Sequence, residues 1–272
     1  MTKKDPNSLN FFEHLDELRI RIFKSAILWL LVFIGCFAFV KPIFKFLAQP
    51  YVEISDGDIR FAAFDLKEPF MANIKAAFWV SLILSSGIFF YHLWGFVAPG
   101  LTKKEKRFAI PFVIFMAVFF IVGCFFSFTK VFPYALDYLI GWNAEGLDAY
   151  TRSSYLSLLF AFVLGMGASF ELPLVIFFLA KVGVVTPRFL LAKFKYAVIL
   201  IFLLAAIITP TPDIWMQTFL AVPMLGLYLL GVGAAYMVKR KEAKQAETDT
   251  EDESGSEDDD DEEDQDDDAA EA

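Results

Sequence analysis

Four carboxylates and their neighbours are the residues of this sequence most open to a chemical reading. Glu171 stands in "GMGASFELPLVIFF" (Gly165–Phe178), inside a stretch from Tyr155 to Ala180 that is otherwise apolar or small. An ionisable side chain at membrane depth costs roughly 2.5–3.5 kcal/mol on insertion scales, so it points to a use for the charge or the proton. The plainer account is a hydrogen bond between helices. Gly165, Gly167, Ala168 and Ser169 precede it and would let another helix approach closely. Pro173 follows and removes the hydrogen bond to the carbonyl of Ser169, which predicts a bend there.

Glu105 lies in "APGLTKKEKRF" (Ala98–Phe108), among four basic residues. This is either a solvated basic loop or a carboxylate framed by cations and open to an incoming guanidinium. Arginine fits a carboxylate through two parallel bonds that lysine cannot reproduce. Glu17 belongs to "FFEHLDELRIRIFKS", with Glu13 and Asp16 close by. A pair with Arg21 at i,i+4 is the plain explanation of Glu17. Asp213, at the end of "TPTPD", is placed to cap the helix that follows. His14 and His92 have no partner pattern, and Cys36 and Cys124 sit in apolar runs as ordinary buried thiols. No nucleophile triad, phosphate loop or metal-ligand spacing is present, so neither an enzyme nor a metal or other cofactor is expected.

The elements that must position these residues are membrane helices. The 272 residues are 57% hydrophobic, with 33 Phe and a mean hydropathy of +0.53, more apolar surface than a soluble domain can bury. The expectation is an all-α membrane protein, a six-transmembrane-helix bundle with spans near 22–40, 70–97, 108–128, 155–180, 196–208 and 214–238. The fifth is short, and "TPTPD" (Thr209–Asp213) turns it tightly into the sixth. Ahead of the first span, Leu9, Phe12, Leu15, Leu18 and Ile22 recur at helical spacing, which reads residues 1–21 as an amphipathic segment at the cytoplasmic interface. Placing 17 of the 24 basic residues on one side puts both termini in the cytoplasm. Two longer loops, about 41–69 and 129–154, then lie outside. The tail from Ala246 to Ala272 holds 17 of the 33 acidic residues and no basic one. The spanning domain is taken as 22–241, and 242–272 is expected to be a disordered, acidic cytoplasmic tail. A proton-coupled solute transporter using Glu171 is an alternative, although no inverted repeat is visible.

The motifs together resemble the TatC family, the core subunit of the twin-arginine protein translocase. The resemblance rests on "HLDELRIR" (His14–Arg21), "FWVSLILSSGIFFYHLWGFVAPGL" (Phe78–Leu101), "KKEKR", "SFELPLVIFF" and "ITPTPDIWMQTFLAVPM" (Ile208–Met224), in that order. It implies a concave, glove-shaped fold and a non-enzymatic receptor of the bacterial inner membrane. Such a receptor binds twin-arginine signal peptides on folded cargo. Its partners would be TatA/TatB-type single-span subunits in a homo- or hetero-oligomer within the lipid bilayer, with transport drawing on the proton-motive force and no nucleic acid involved. By the same resemblance, Glu17, Glu105, Arg19 and Phe96 belong to the signal-peptide site. Glu171 is the intramembrane polar site for a partner subunit, and Pro50 and Asp213 are further motif positions.

Overall fold

The computed structural model describes the backbone of residues 6–55, 61–97, 109–142, 150–209 and 213–260, and the side chains of 19–55, 61–95, 110–141, 150–209 and 213–240. The described chain is almost entirely helical. In order it forms α1 (Pro6–Ala38), α2 (Val40–Leu47), α3 (Gln49–Ile54), β1 (Phe61–Ala62), α4 (Glu68–Leu84), α5 (Ser86–Val97) and α6 (Ala109–Phe126). A π-helical turn (Ser127–Val131) leads to α7 (Phe132–Trp142), then β2 (Tyr150–Thr151), α8 (Arg152–Phe170), α9 (Leu172–Lys181), α10 (Pro187–Ala192), α11 (Phe194–Ile208) and α12 (Ile214–Asp260). Among the described residues four helical stretches are long and apolar enough to cross a membrane: Arg19–Ala38, Ile110–Gly141, Arg152–Lys181 and Ile214–Arg240. The pair α4 and α5, bent by 49°, makes a fifth if it counts as one span. The expected fifth span, α11, is an apolar helix of 15 residues, about 22 Å of rise against a hydrocarbon core of about 30 Å.

Several boundaries differ from the sequence reading, each for a local reason. The N-terminal segment does not end at residue 21, because α1 continues unbroken into the first span and no Pro or Gly interrupts it between Asn7 and Ile34. The second span breaks at Ser85, next to Ser86 and Gly87, poor helix formers that commonly mark kinks. The third does not stop at Phe128; the chain stays helical to Trp142, through part of what the sequence assigns to an external loop. Pro133 cannot donate to a carbonyl one turn back, and the π-helical turn takes up the change of register immediately before it. Helical backbone also reaches Asp260, beyond the expected start of a disordered tail at 242. Lys, Glu, Ala and Gln, all good helix formers, fill the sequence from Lys241 to Glu247.

The chain divides into two compact units, residues 1–171 with 199–225, and residues 172–198 with 226–272. In the first, α1 packs on α4, α4 on α8, and α6 on both α5 and α8. The α1–α4 seam is fixed by Trp29, whose indole N–H donates to Ser81 Oγ at 3.0 Å and whose ring meets Phe78 edge-on at 5.3 Å. At one end of this unit, residues from α2, α3, β1, β2 and α8 form an aromatic cap. Tyr51 stacks on Phe61 at 5.0 Å, Tyr155 lies 5.5 Å from Phe61, and the Tyr155 hydroxyl donates to the Leu47 carbonyl at 2.6 Å. A parallel pairing of Phe61 with Tyr150 and Ala62 with Thr151 closes the cap.

The second unit is built from α9, α10, the start of α11 and the later part of α12. Gly183, at φ +80°, ends α9 in a conformation that disfavours any side chain. Thr186 caps α10, accepting from the Phe189 N–H at 3.2 Å. The Tyr228 hydroxyl donates to the Leu190 carbonyl at 3.0 Å. A Cβ on Gly231 would stand 3.2 Å from Pro173 Cα, so glycine permits this close approach of α12 and α9.

Candidate functional site

The site residues expected from sequence fall at separate places in the fold. One group gathers where α1 meets α5. Arg21 lays its guanidinium against Gly95, and a Cβ added at Gly95 would come within 2.8 Å of Nη1. Ser25, one turn further along α1, is buried and donates to the Arg21 carbonyl at 3.0 Å. Trp94, also buried, packs 4.5 Å from Phe112 of α6. This contact joins α5 to α6 beside position 96, which is on the backbone of α5. Position 17 lies one turn before Arg21 on the same stripe of α1. The side chains of Glu17 and Phe96, and the whole of Glu105, lie outside the described residues.

Arg19 and Arg21 are separated by about 200° around the helix. Arg19 is exposed, with its guanidinium 5.9 Å from the centre of the Phe23 ring. Arg21 is the arginine turned to α5. From sequence it is only a topology charge or a partner for Glu17; the signal that could have singled it out is the glycine at 95, which makes room for it.

Glu171 forms the boundary between α8 and α9, the break that Pro173 predicts. Its N–H donates to the carbonyl of Ala168, at 3.2 Å, and is also directed at that of Ser169. The residue is 8% exposed, and neither carboxyl oxygen has a hydrogen-bond partner among the described residues. Leaving such a group unpaired away from water costs about 1–3 kcal/mol, more if it is charged. Removal of that cost requires a donor from outside the described residues, or water.

The small residues before Glu171 are already occupied. A Cβ on Gly167 would fall 2.7 Å from Cys124 Sγ and 2.9 Å from the Phe120 ring, while one on Gly165 would fall 2.6 Å from Ile208 Cδ1. Gly123 of α6 is likewise closed by Phe170 at 2.7 Å. Helices of this same chain therefore use the close approach that the sequence leaves open to a partner, and the carboxyl of Glu171 is what remains unmatched.

Pro50 is buried at the start of α3 and precedes Tyr51 in the aromatic cap. It lies at the other end of α1 from Arg21: seventeen residues of helix, about 26 Å, separate Arg21 from Ala38, beyond which α2 and α3 follow. Asp213 caps α12, its Oδ1 accepting from the Met216 N–H at 2.8 Å, and Tyr138 hydrogen-bonds to the same carboxylate. Neither residue meets the Arg21–Gly95 junction. Among the described residues no group of three or more His, Cys, Asp and Glu is arranged to hold a metal.

The family model for Sec-independent protein translocase protein (TatC) matches residues 13–223. This chain belongs to the TatC family. It is 41% identical to the Sec-independent protein translocase protein TatC of Helicobacter pylori (strain ATCC 700392 / 26695) over 230 residues, 83% of this chain and 87% of that protein. It is 34% identical to TatC of Escherichia coli (strain K12) over 220 residues, 80% of this chain and 85% of that protein. Its fold is similar to a crystal structure of the twin-arginine translocase receptor TatC, with a TM-score of 0.74 and 31% identity, covering 83% of this chain and 99% of that one. These are translocase components and not enzymes, and they lend no support to a solute transporter working through Glu171. The match ends at residue 223, so the acidic tail lies outside it.

Proposed function

We propose that this chain is the core receptor subunit of a twin-arginine translocase. It binds twin-arginine signal peptides of folded precursors and, with TatA/TatB-type subunits, supports their export driven by the proton-motive force. The family match across residues 13–223 carries this reading. In it the chain crosses the bacterial inner membrane six times with both termini cytoplasmic, and α11 and the first part of α12 form the short last hairpin of a concave bundle. The excess of basic residues on one side supports the orientation.

Glu17 and Glu105 each receive one guanidinium of the paired arginines. A charge-assisted contact of this kind contributes about 1.5–3 kcal/mol, and the forked geometry explains a demand for arginine over lysine. Arg19 and Phe96 belong to the same site. The Arg21–Gly95 contact supports this assignment, because it ties the stripe of α1 bearing position 17 to the end of α5 bearing position 96. Glu171 offers its unpaired carboxyl to a polar group on a partner's membrane helix.

Site-specific photocrosslinking in membranes tests the receptor role. A probe at Lys104, beside Glu105, should crosslink a labelled twin-arginine precursor and not its twin-lysine version. Equal crosslinking of both, or none from an export-competent probe variant, would overturn the site. Glu105→Ala and Glu17→Ala should each weaken peptide binding while leaving membrane insertion intact.

A further inference from the structure

An apolar groove of about 450 Å³ runs along the first unit between α2, α4, α6 and α8. Ile43 and Phe46 of α2, Val80 of α4, Ile121 and Phe125 of α6 and Phe160 of α8 contribute to its wall. Among the described residues no charged side chain lines it, and Cys124 is the sulfur-bearing one. Phe46, Ile121 and Phe125 are each about half exposed or more, so the groove is open along its side.

Three lysines stand close in sequence to residues that line this groove: Lys41 and Lys45 beside Pro42, Ile43 and Phe46, and Lys130 after Phe128. Helix α2 is strongly amphipathic: Val40 and Leu47 are buried, Ile43 is half-buried, and Lys41 and Lys45 are exposed one turn apart. The Phe46 ring stacks on Phe128 at 5.0 Å with 21° between the planes, which joins α2 to the π-helical turn. Lys45 precedes one ring of this stack and Lys130 follows the other by two residues; both are exposed. Lys41, Lys45 and Lys130 have no ion-pair partner among the described residues. Arg152, by contrast, has its guanidinium 5.0 Å from the centre of the Phe44 ring.

An interfacial helix with lysines on its polar face is attracted to anionic lipid. We propose that this groove is a binding site for an anionic phospholipid, one acyl chain lying along the apolar wall and the headgroup phosphate received by Lys45 and Lys130. The occupant follows from the two halves of the site. Among the described residues the wall offers no charged group to a polar ligand, and Lys45 and Lys130, close in sequence to Phe46 and Phe128 and exposed without an ion-pair partner among those residues, favour an anion over a zwitterion. Lys41, on the same face of α2, strengthens the local field.

The test is native mass spectrometry of the full chain, purified and delipidated in detergent, with added dioleoyl-phosphatidylglycerol or dioleoyl-phosphatidylcholine. Phosphatidylglycerol should bind about tenfold or more tightly than phosphatidylcholine, from roughly one favourable contact per lysine. Lys45→Gln with Lys130→Gln should remove that preference. Lys193→Gln with Lys195→Gln, an equal change of charge in the second unit, should leave it intact. Ile43→Trp, which fills the groove, should reduce binding of both lipids. Glycerol phosphate, the headgroup chemistry without chains, should give no adduct, which separates a lipid site from a phosphate site without relying on any variant. The proposal is overturned if the two lipids bind equally, if the control pair lowers phosphatidylglycerol binding as much as the Lys45 and Lys130 pair, or if glycerol phosphate binds as well as the lipid.

Discussion

Lys75 and Glu171 are two ionisable groups set against the same helix, and the protein treats them in opposite ways. The Lys75 ammonium, on α4, donates to Ser153 Oγ at 2.9 Å, to the Ser153 carbonyl at 3.3 Å and to Ser157 Oγ at 2.8 Å. All three acceptors belong to the first turns of α8, and none is a carboxylate. Glu171 terminates α8, eighteen residues beyond Ser153, and receives no hydrogen bond on either oxygen from any described residue. Three ligands make Lys75 a tie between two helices. A carboxyl that is buried without a hydrogen bond from any described residue adds nothing to the stability of this chain. Burial alone therefore does not distinguish polar residues in a membrane sequence; whether their hydrogen bonds are satisfied does so as well.

The largest expected effect separates these two roles. Glu171→Leu removes a buried, unpaired carboxyl, so thermal unfolding in detergent should show unchanged or higher stability, by up to about 1–3 kcal/mol. Export of a twin-arginine precursor should nevertheless fall more than tenfold in a transport assay. A variant that unfolds would place Glu171 among the structural groups with Lys75. Lys75→Met should do the reverse, lowering stability by about 2 kcal/mol through the loss of charge-assisted hydrogen bonds, with signal-peptide crosslinking at position 104 kept in the folded fraction. Ser153→Ala combined with Lys75→Met should cost little more than Lys75→Met alone if the groups act as one unit, which a double-mutant cycle measures.

Smaller effects refine the comparison at satisfied groups elsewhere. Tyr155→Phe leaves the Leu47 carbonyl without its donor in the aromatic cap and should cost about 1–2 kcal/mol on thermal unfolding. Asp213→Ala removes the cap of α12 and should cost about 1 kcal/mol, while Asp213→Asn, which still caps, should stay within a few tenths. A larger loss of export than of stability in Asp213→Asn would show that its charge serves more than the cap.

Much of the local architecture was legible in the sequence. Hydropathy located every long apolar helix, because bilayer thickness imposes a length that composition reveals directly. Pro173 announced the break at Glu171, and Asp213 announced the cap of α12, because both effects act within one helical turn. The π-helical turn before Pro133 and the bend at Ser85 were not anticipated. A proline or a serine pair permits such features, but packing against neighbouring helices decides whether they occur. Glu17, Phe96 and Glu105 came from motifs, which specify residue types and order and carry no information on contacts.

The sequence by itself determined that this is a helical membrane protein of the TatC family, where its carboxylates lie along the chain, and which one is stranded in an apolar run. It did so because lipid allows few backbone solutions and penalises charge at every position. Only the tertiary structure decided that Arg21, not Arg19, turns to α5, that Gly165 and Gly167 are filled by Ile208, Cys124 and Phe120, and that Lys75 is satisfied while Glu171 is not. Those outcomes depend on which side chains from distant parts of the chain meet at one place, and helical spacing fixes the face a residue occupies without naming what packs against it.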